Sequence, residues 1–111
     1  MCEFKVYVRD GGGERRVADD IVRSRLEGGN LVLSDILGSR AVLEDSLMRD
    51  LNVALERIDL LQLPGLGKLM NFLQAYSRAV ESKEYVDGLQ DDWEGIKGFW
   101  DERLRQLRDA R

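Results

Sequence analysis

The chain opens in alternation: Cys2, Phe4, Val6 and Val8 fall in one phase, and Glu3, Lys5 and Tyr7 in the other. A period of two puts the first set on an apolar face and predicts a strand over residues 1–8. Gly11-Gly12-Gly13 then supplies a turn, and Glu14-Arg15-Arg16-Val17-Ala18 can return as a second strand. Alternation resumes over Ile21–Glu27, stops at Gly28-Gly29-Asn30 and restarts at Leu31–Ser34, the signature of a hairpin. Asp35-Ile36-Leu37-Gly38-Ser39 makes a corner before a strand at Arg40–Glu44. Leu47–Leu51 and Leu55–Leu60, joined near Asn52, form a last hairpin. Short strands at this spacing predict a small antiparallel β-barrel or sandwich.

Residues 41–61 also admit a second reading. Leu43, Leu47, Leu51 and Leu55 recur every four residues, so a helix fits them nearly as well as two strands. The pattern alone leaves the two readings level.

At Leu63-Pro64-Gly65, which holds the only proline, the periodicity changes. Leu66, Leu69, Met70, Leu73, Tyr76, Ala79 and Val80 follow helical spacing and predict a helix over about 66–83. After Asp87-Gly88, Asp91 is placed to cap a second helix, 91–109, with Trp93, Ile96, Trp100, Leu104 and Leu107 on one stripe. Arg103, Arg105, Arg108 and Arg111 near its end suit the negative pole of the helix dipole. The expected class is therefore α+β, with a β-domain at 1–63 and a two-helix extension at 64–111.

Composition narrows the chemistry. Histidine is absent, which removes imidazole metal sites and the His-dependent catalytic arrangements. Cys2 is the only cysteine, so it is a free thiol, a metal ligand or half of an intermolecular bond. The 111 residues carry a net charge of −4, with both signs interspersed, which argues against binding nucleic acid through the whole surface. No apolar run is long enough to span a membrane and no secretory leader is evident, so a cytoplasmic protein is expected. The glycine triplet lacks the Gly-Lys-Ser/Thr that would make it a phosphate loop. Adjacent acids at Asp19-Asp20, Glu44-Asp45 and Asp91-Asp92 point to opposite faces of a strand or into solvent, and no enzymatic activity is expected.

Taken together, Met1-Cys2 and its strand, Asp19-Asp20-Ile21-Val22, Glu27 to Leu33, Asp35-Ile36-Leu37-Gly38 and Glu56 to Leu61 resemble the CooT family. These are small nickel-binding proteins associated with maturation of carbon monoxide dehydrogenase, and archaeal relatives have been labelled predicted RNA-binding proteins. The resemblance covers residues 1–61 and favours strands at 41–61. It implies a non-enzymatic accessory protein that binds Ni(II) through Cys2 of each chain at a homodimer and serves a metalloenzyme client. If Met1 is removed, the amine and thiolate of Cys2 close a five-membered chelate ring; if it is retained, the Met1 amine and Cys2 amide nitrogen join the thiolate. The alternative is an RNA-binding or protein-interaction module. It would use Arg15, Arg16, Arg23 and Arg25 with the basic, aromatic second helix, where Phe99 and Trp100 stand beside the tail arginines.

Overall fold

The first strand, β1 (Phe4–Asp10), takes the centre of the fold because its apolar phase is buried on both sides of the pairing. Val6 and Val8 are fully buried. In the computed structural model, which describes residues 2–110, β1 pairs antiparallel with β2 (Gly13–Glu27) and parallel with β6 (Arg57–Gln62). Beyond β2 lie β3 (Asn30–Asp35) and β4 (Arg40–Glu44), and beyond β6 lies β5 (Ser46–Asn52). The sheet order is β4-β3-β2-β1-β6-β5.

Three expectations are corrected here. The strands at 14–18 and 21–27 are one strand of 15 residues. It bends at Asp20, where φ is +57°, and at a register shift between Ile21 and Arg23, so its first half serves β1 and its second half β3. The sheet is not wholly antiparallel, because β6 returns alongside β1 in the same direction. Nor is it a closed barrel: no ladder joins the outer strands β4 and β5. The physical reason lies at Asp45, the single residue between them, whose φ of +53° carries the chain from one edge of the curled sheet to the other. Its carbonyl accepts from Leu63 N–H at 3.0 Å, which prolongs the β5–β6 pairing by one position.

Residues 41–61 are strands, not a helix; a repeat of four is also a multiple of two, so the leucines keep phase on a sheet. Within the sheet Val6, Val8, Ile21, Leu31, Leu33, Ile58 and Leu60 form one cluster, with Phe4, Val17, Ala18, Ala41 and Leu43 packed around it. Each large side chain of that cluster contributes about 1.5–3 kcal/mol by leaving water.

Two helices follow, α1 (Leu66–Ser82) and α2 (Leu89–Asp109). Leu66 and Met70 are the buried residues of α1. The helix approaches the β2–β3 turn so closely that a Cβ on Gly29 would stand 2.5 Å from the Gly67 carbonyl oxygen. The N-cap of α1, Gly65, has no side chain to satisfy the first turn. Asp45 does that work from a distance: its Oδ1 accepts from Gly67 N–H at 2.7 Å and sets a carboxylate at the positive end of the helix. Asp45→Ala is expected to cost about 1–2 kcal/mol, through loss of this cap and the strain of alanine at positive φ. Asp45→Asn keeps an acceptor and tolerates that φ, so urea denaturation should show it recovering most of the loss; equal stability of all three proteins would contradict the anchoring role.

The second helix starts two residues earlier than the pattern predicts. Gly88, at φ +98°, is its N-cap, and Asp91 and Asp92 lie in the first turn, where their charge complements the dipole without a capping bond. Phe72 meets Trp93 at 5.6 Å between ring centres, and a Cβ on Gly65 would fall 2.4 Å from the Phe99 ring. The helices therefore run antiparallel, with Phe99 level with the start of α1. No helix among the described residues is long and apolar enough to cross a membrane.

Candidate metal centre

Burial falls away toward the start of β1. Val8 and Val6 are fully buried and Phe4 is half-buried, while Cys2, in the same alternation, is exposed. Alternation alone would have put the thiol in hydrocarbon. It escapes because β1 begins only at Phe4, leaving residues 2 and 3 beyond the ladder. The edge of sheet from which Cys2 leads is held on both flanks. Phe4 pairs with Ile21 at the bend of β2, and Lys5 N–H donates to the Glu56 carbonyl at 2.9 Å in the turn before β6. A rigid base thus carries an accessible sulfur.

The donor set sets a limit on what one chain can hold. With no histidine in the sequence and one cysteine, the chain has a single thiolate and no imidazole to offer, its three methionines supplying only thioethers. Among the described residues no three His, Cys, Asp or Glu side chains converge as a metal-binding group. These residues fit a nickel ion when backbone nitrogen joins the thiolate and further donors complete the set. A thiolate with nitrogen donors is a set that Ni(II) and Cu(II) accept in a plane. Met1, with its amine and the question of its removal, lies outside the described residues.

A second polar cluster escaped the sequence reading. Arg57 stacks 3.8 Å over the Tyr7 ring and donates to Asp59 at 2.8 Å and Glu14 at 2.9 Å. Those two carboxylates, Asp59 before Glu14, raise the guanidinium pKa above its usual value. Arg9 approaches Glu14 at 3.5 Å on the rim of the same cleft, about 500 Å³, which Arg49 and Asp50 also line. Glu14 and Asp59 are both tied to Arg57, and Arg9, Arg49 and Arg57 equal Glu14, Asp50 and Asp59 in number, so the cleft carries no net charge. Arg57 and Asp59, two apart on one strand face, were the available signal.

Among the described residues, the arginines proposed for nucleic acid other than Arg23 are similarly engaged. Arg15 pairs with Asp10, Arg16 with Asp19 and Arg25 with Glu27. On α2, Arg105 pairs with Glu102 at 2.6 Å and Arg108 with Asp109 at 3.3 Å, while Arg103 lies 4.8 Å over the Phe99 ring. Arg111 lies outside the described residues. Of the adjacent acids, Asp19 serves Arg16 and Asp45 holds α1, so these two are structural ties rather than free surface charge.

A curled six-stranded sheet with a parallel central pair, led by one exposed thiol and followed by a helical hairpin, defines a small α+β protein. The family model described as CooT, CO dehydrogenase accessory protein CooT, matches residues 1–61, and the chain belongs to that family. A crystal structure assigned as a CooT from Carboxydothermus hydrogenoformans has the same fold over 56% of this chain and 98% of its own. Its TM-score is 0.51 and its sequence identity 22%. No curated protein matches the chain. The helical extension thus falls outside the residues matched by the family model.

Proposed function

We propose that this protein is a non-enzymatic accessory factor that holds Ni(II) between two copies of the chain through the Cys2 thiolates and serves a metalloenzyme client. The observation that carries the reading is the exposure of Cys2 at the head of a strand fixed in the middle of the sheet. Membership of a family of CO dehydrogenase accessory proteins supports the client. The thiolate and the backbone nitrogen of Cys2 close a five-membered ring around an ion, and two such pairs complete four donors without any imidazole. Bound this way, the ion is cargo: exposed sulfurs let a client's ligands approach and exchange, which a buried site would forbid.

Calorimetric titration of tag-free protein with Ni(II) tests this. The expected stoichiometry is one ion per two chains. Sulfur and nitrogen must shed protons to bind, so affinity should climb with pH across the neutral range. Binding of one ion per chain, or affinity indifferent to pH, would contradict a shared thiolate site.

A further inference from the structure

The two helices of the extension enclose a groove of about 630 Å³ that no described part of the chain fills. Leu73, Tyr76 and Val80 of α1 and Leu89 and Trp93 of α2 line it, with Phe72 beneath. Leu73 is 52% exposed, Tyr76 and Val80 are each 56% exposed, and Trp93 is 41% exposed. The groove is preformed. Lys83 closes α1 at φ +59° and Glu84 N–H donates to the Ala79 carbonyl at 3.3 Å, while the Gly88 carbonyl at the start of α2 accepts from Asp92 N–H at 2.9 Å. A groove held open by its own turn loses little freedom on being filled.

We infer that this groove receives an amphipathic helix with basic flanks from another protein, which completes a three-helix bundle on the extension. The shape calls for a helix. The lining residues of α1 run from Phe72 to Lys83, three turns that extend for about 16 Å at 1.5 Å per residue. A helix laid along them presents apolar side chains at i, i+3 or i+4, and i+7, the spacing by which helical grooves read their ligands.

The charge calls for basic flanks. Glu84 lies in the wall, and Asp87 falls between the lining residues Tyr85 and Leu89. Around this end Glu81, Glu84, Asp87 and Asp91 make no ion pair among the described residues, Glu94 is tied to Lys97 at 3.0 Å, and Asp92 lies on the flank of Lys68. Against the four free carboxylates stand only Arg78 and Lys83. The mouth of the groove therefore carries surplus negative charge, which steers and orients a cationic ligand.

This chain does not supply that ligand. The end of α2, residues 101–109, holds three acids and three arginines, with Arg105 and Arg108 already paired and Arg103 over the Phe99 ring. A recessed groove edged by carboxylates also suits neither the flatness nor the charge of an anionic lipid surface. The inference stands apart from the nickel reading, since the groove lies beyond the residues matched by the family model.

The test uses the full chain, metal-free, with Trp100→Phe so that emission reports Trp93 alone. The probe is a synthetic helix of leucine, alanine and lysine, about 14 residues or four turns long, with leucines at the spacing above, and a counterpart with glutamate for every lysine. The lysine peptide should bind one per chain at micromolar concentration and move Trp93 emission to shorter wavelength; the glutamate peptide should bind at least tenfold more weakly. Leu73→Gln with Val80→Gln should cost at least tenfold in affinity, and Glu84→Gln with Asp87→Gln should narrow the gap between the peptides. Leu104→Gln with Leu107→Gln, outside the groove, should change neither. All these side chains are exposed, so circular dichroism should show helix content retained. Equal affinity for both peptides, no binding at hundreds of micromolar, or affinity that survives the groove changes would overturn the inference. So would a Trp93 shift produced by anionic vesicles, or by the chain's own concentration, in place of the peptide.

Discussion

Cys2→Ser is expected to lower Ni(II) affinity at neutral pH by at least about a hundredfold, because it removes the single strong ligand that each chain contributes. The same change should leave the metal-free fold intact, since Cys2 precedes β1 and is exposed. Circular dichroism and thermal unfolding of the apo variant should overlay those of the parent. Loss of stability without loss of nickel would identify Cys2 as a packing residue instead. The contrast matters because the opening alternation puts Cys2 in phase with Val6 and Val8, and phase alone would make it part of the core.

Leu60→Ala is expected to have the largest effect on the fold. Leu60 is fully buried in β6, the strand that meets β1 in parallel, and it belongs to the cluster of Val6, Val8 and Leu33. Truncating a buried leucine costs about 2–5 kcal/mol, through lost transfer energy and the cavity left behind. Against a total stability of about 5–15 kcal/mol this is a large fraction. It should appear as a lower urea midpoint at unchanged slope. The consequence reaches the thiol, because the β1–β6 ladder and the Lys5 bond to Glu56 hold the base from which Cys2 projects. A Leu60→Ala protein as stable as the parent would mean that the sheet is not built around this pair.

Much of this architecture could be read from local pattern. Alternation marked β1, β3 and β4, Gly28-Gly29-Asn30 and Asp35 to Ser39 marked their corners, and Pro64-Gly65 marked the passage from strands to helices. What local pattern could not supply was pairing between distant segments. The parallel match of Lys5–Arg9 with Arg57–Leu61 spans some fifty residues and leaves no trace in the periodicity of either strand. The role of Asp45 has the same origin, since its carbonyl goes to Leu63 and its carboxylate to Gly67, both distant in the chain. An Asp in a Glu-Asp pair reads as surface charge until α1 is placed against it. The start of α2 was missed by two residues because Gly88 stops the chain with a positive φ, whereas Asp91 carries a preferred capping side chain.

The candidate site was legible as a residue and not as an environment. Cys2 stood out as the only thiol in a chain without histidine, but whether it faced hydrocarbon or water depended on where β1 starts, a boundary of two residues. The absence of a converging ligand group among the described residues then bears on the chemistry. A single copy offers one thiol, and the proposed nickel site draws its second from another copy.

X-ray absorption at the nickel edge, on protein loaded with one Ni(II) per two chains, tests that shared site most directly. Two sulfur scatterers at thiolate distance per nickel, replaced by nitrogen or oxygen in Cys2→Ser, is the expected result. A nickel ion surrounded only by nitrogen and oxygen in the parent protein would contradict it.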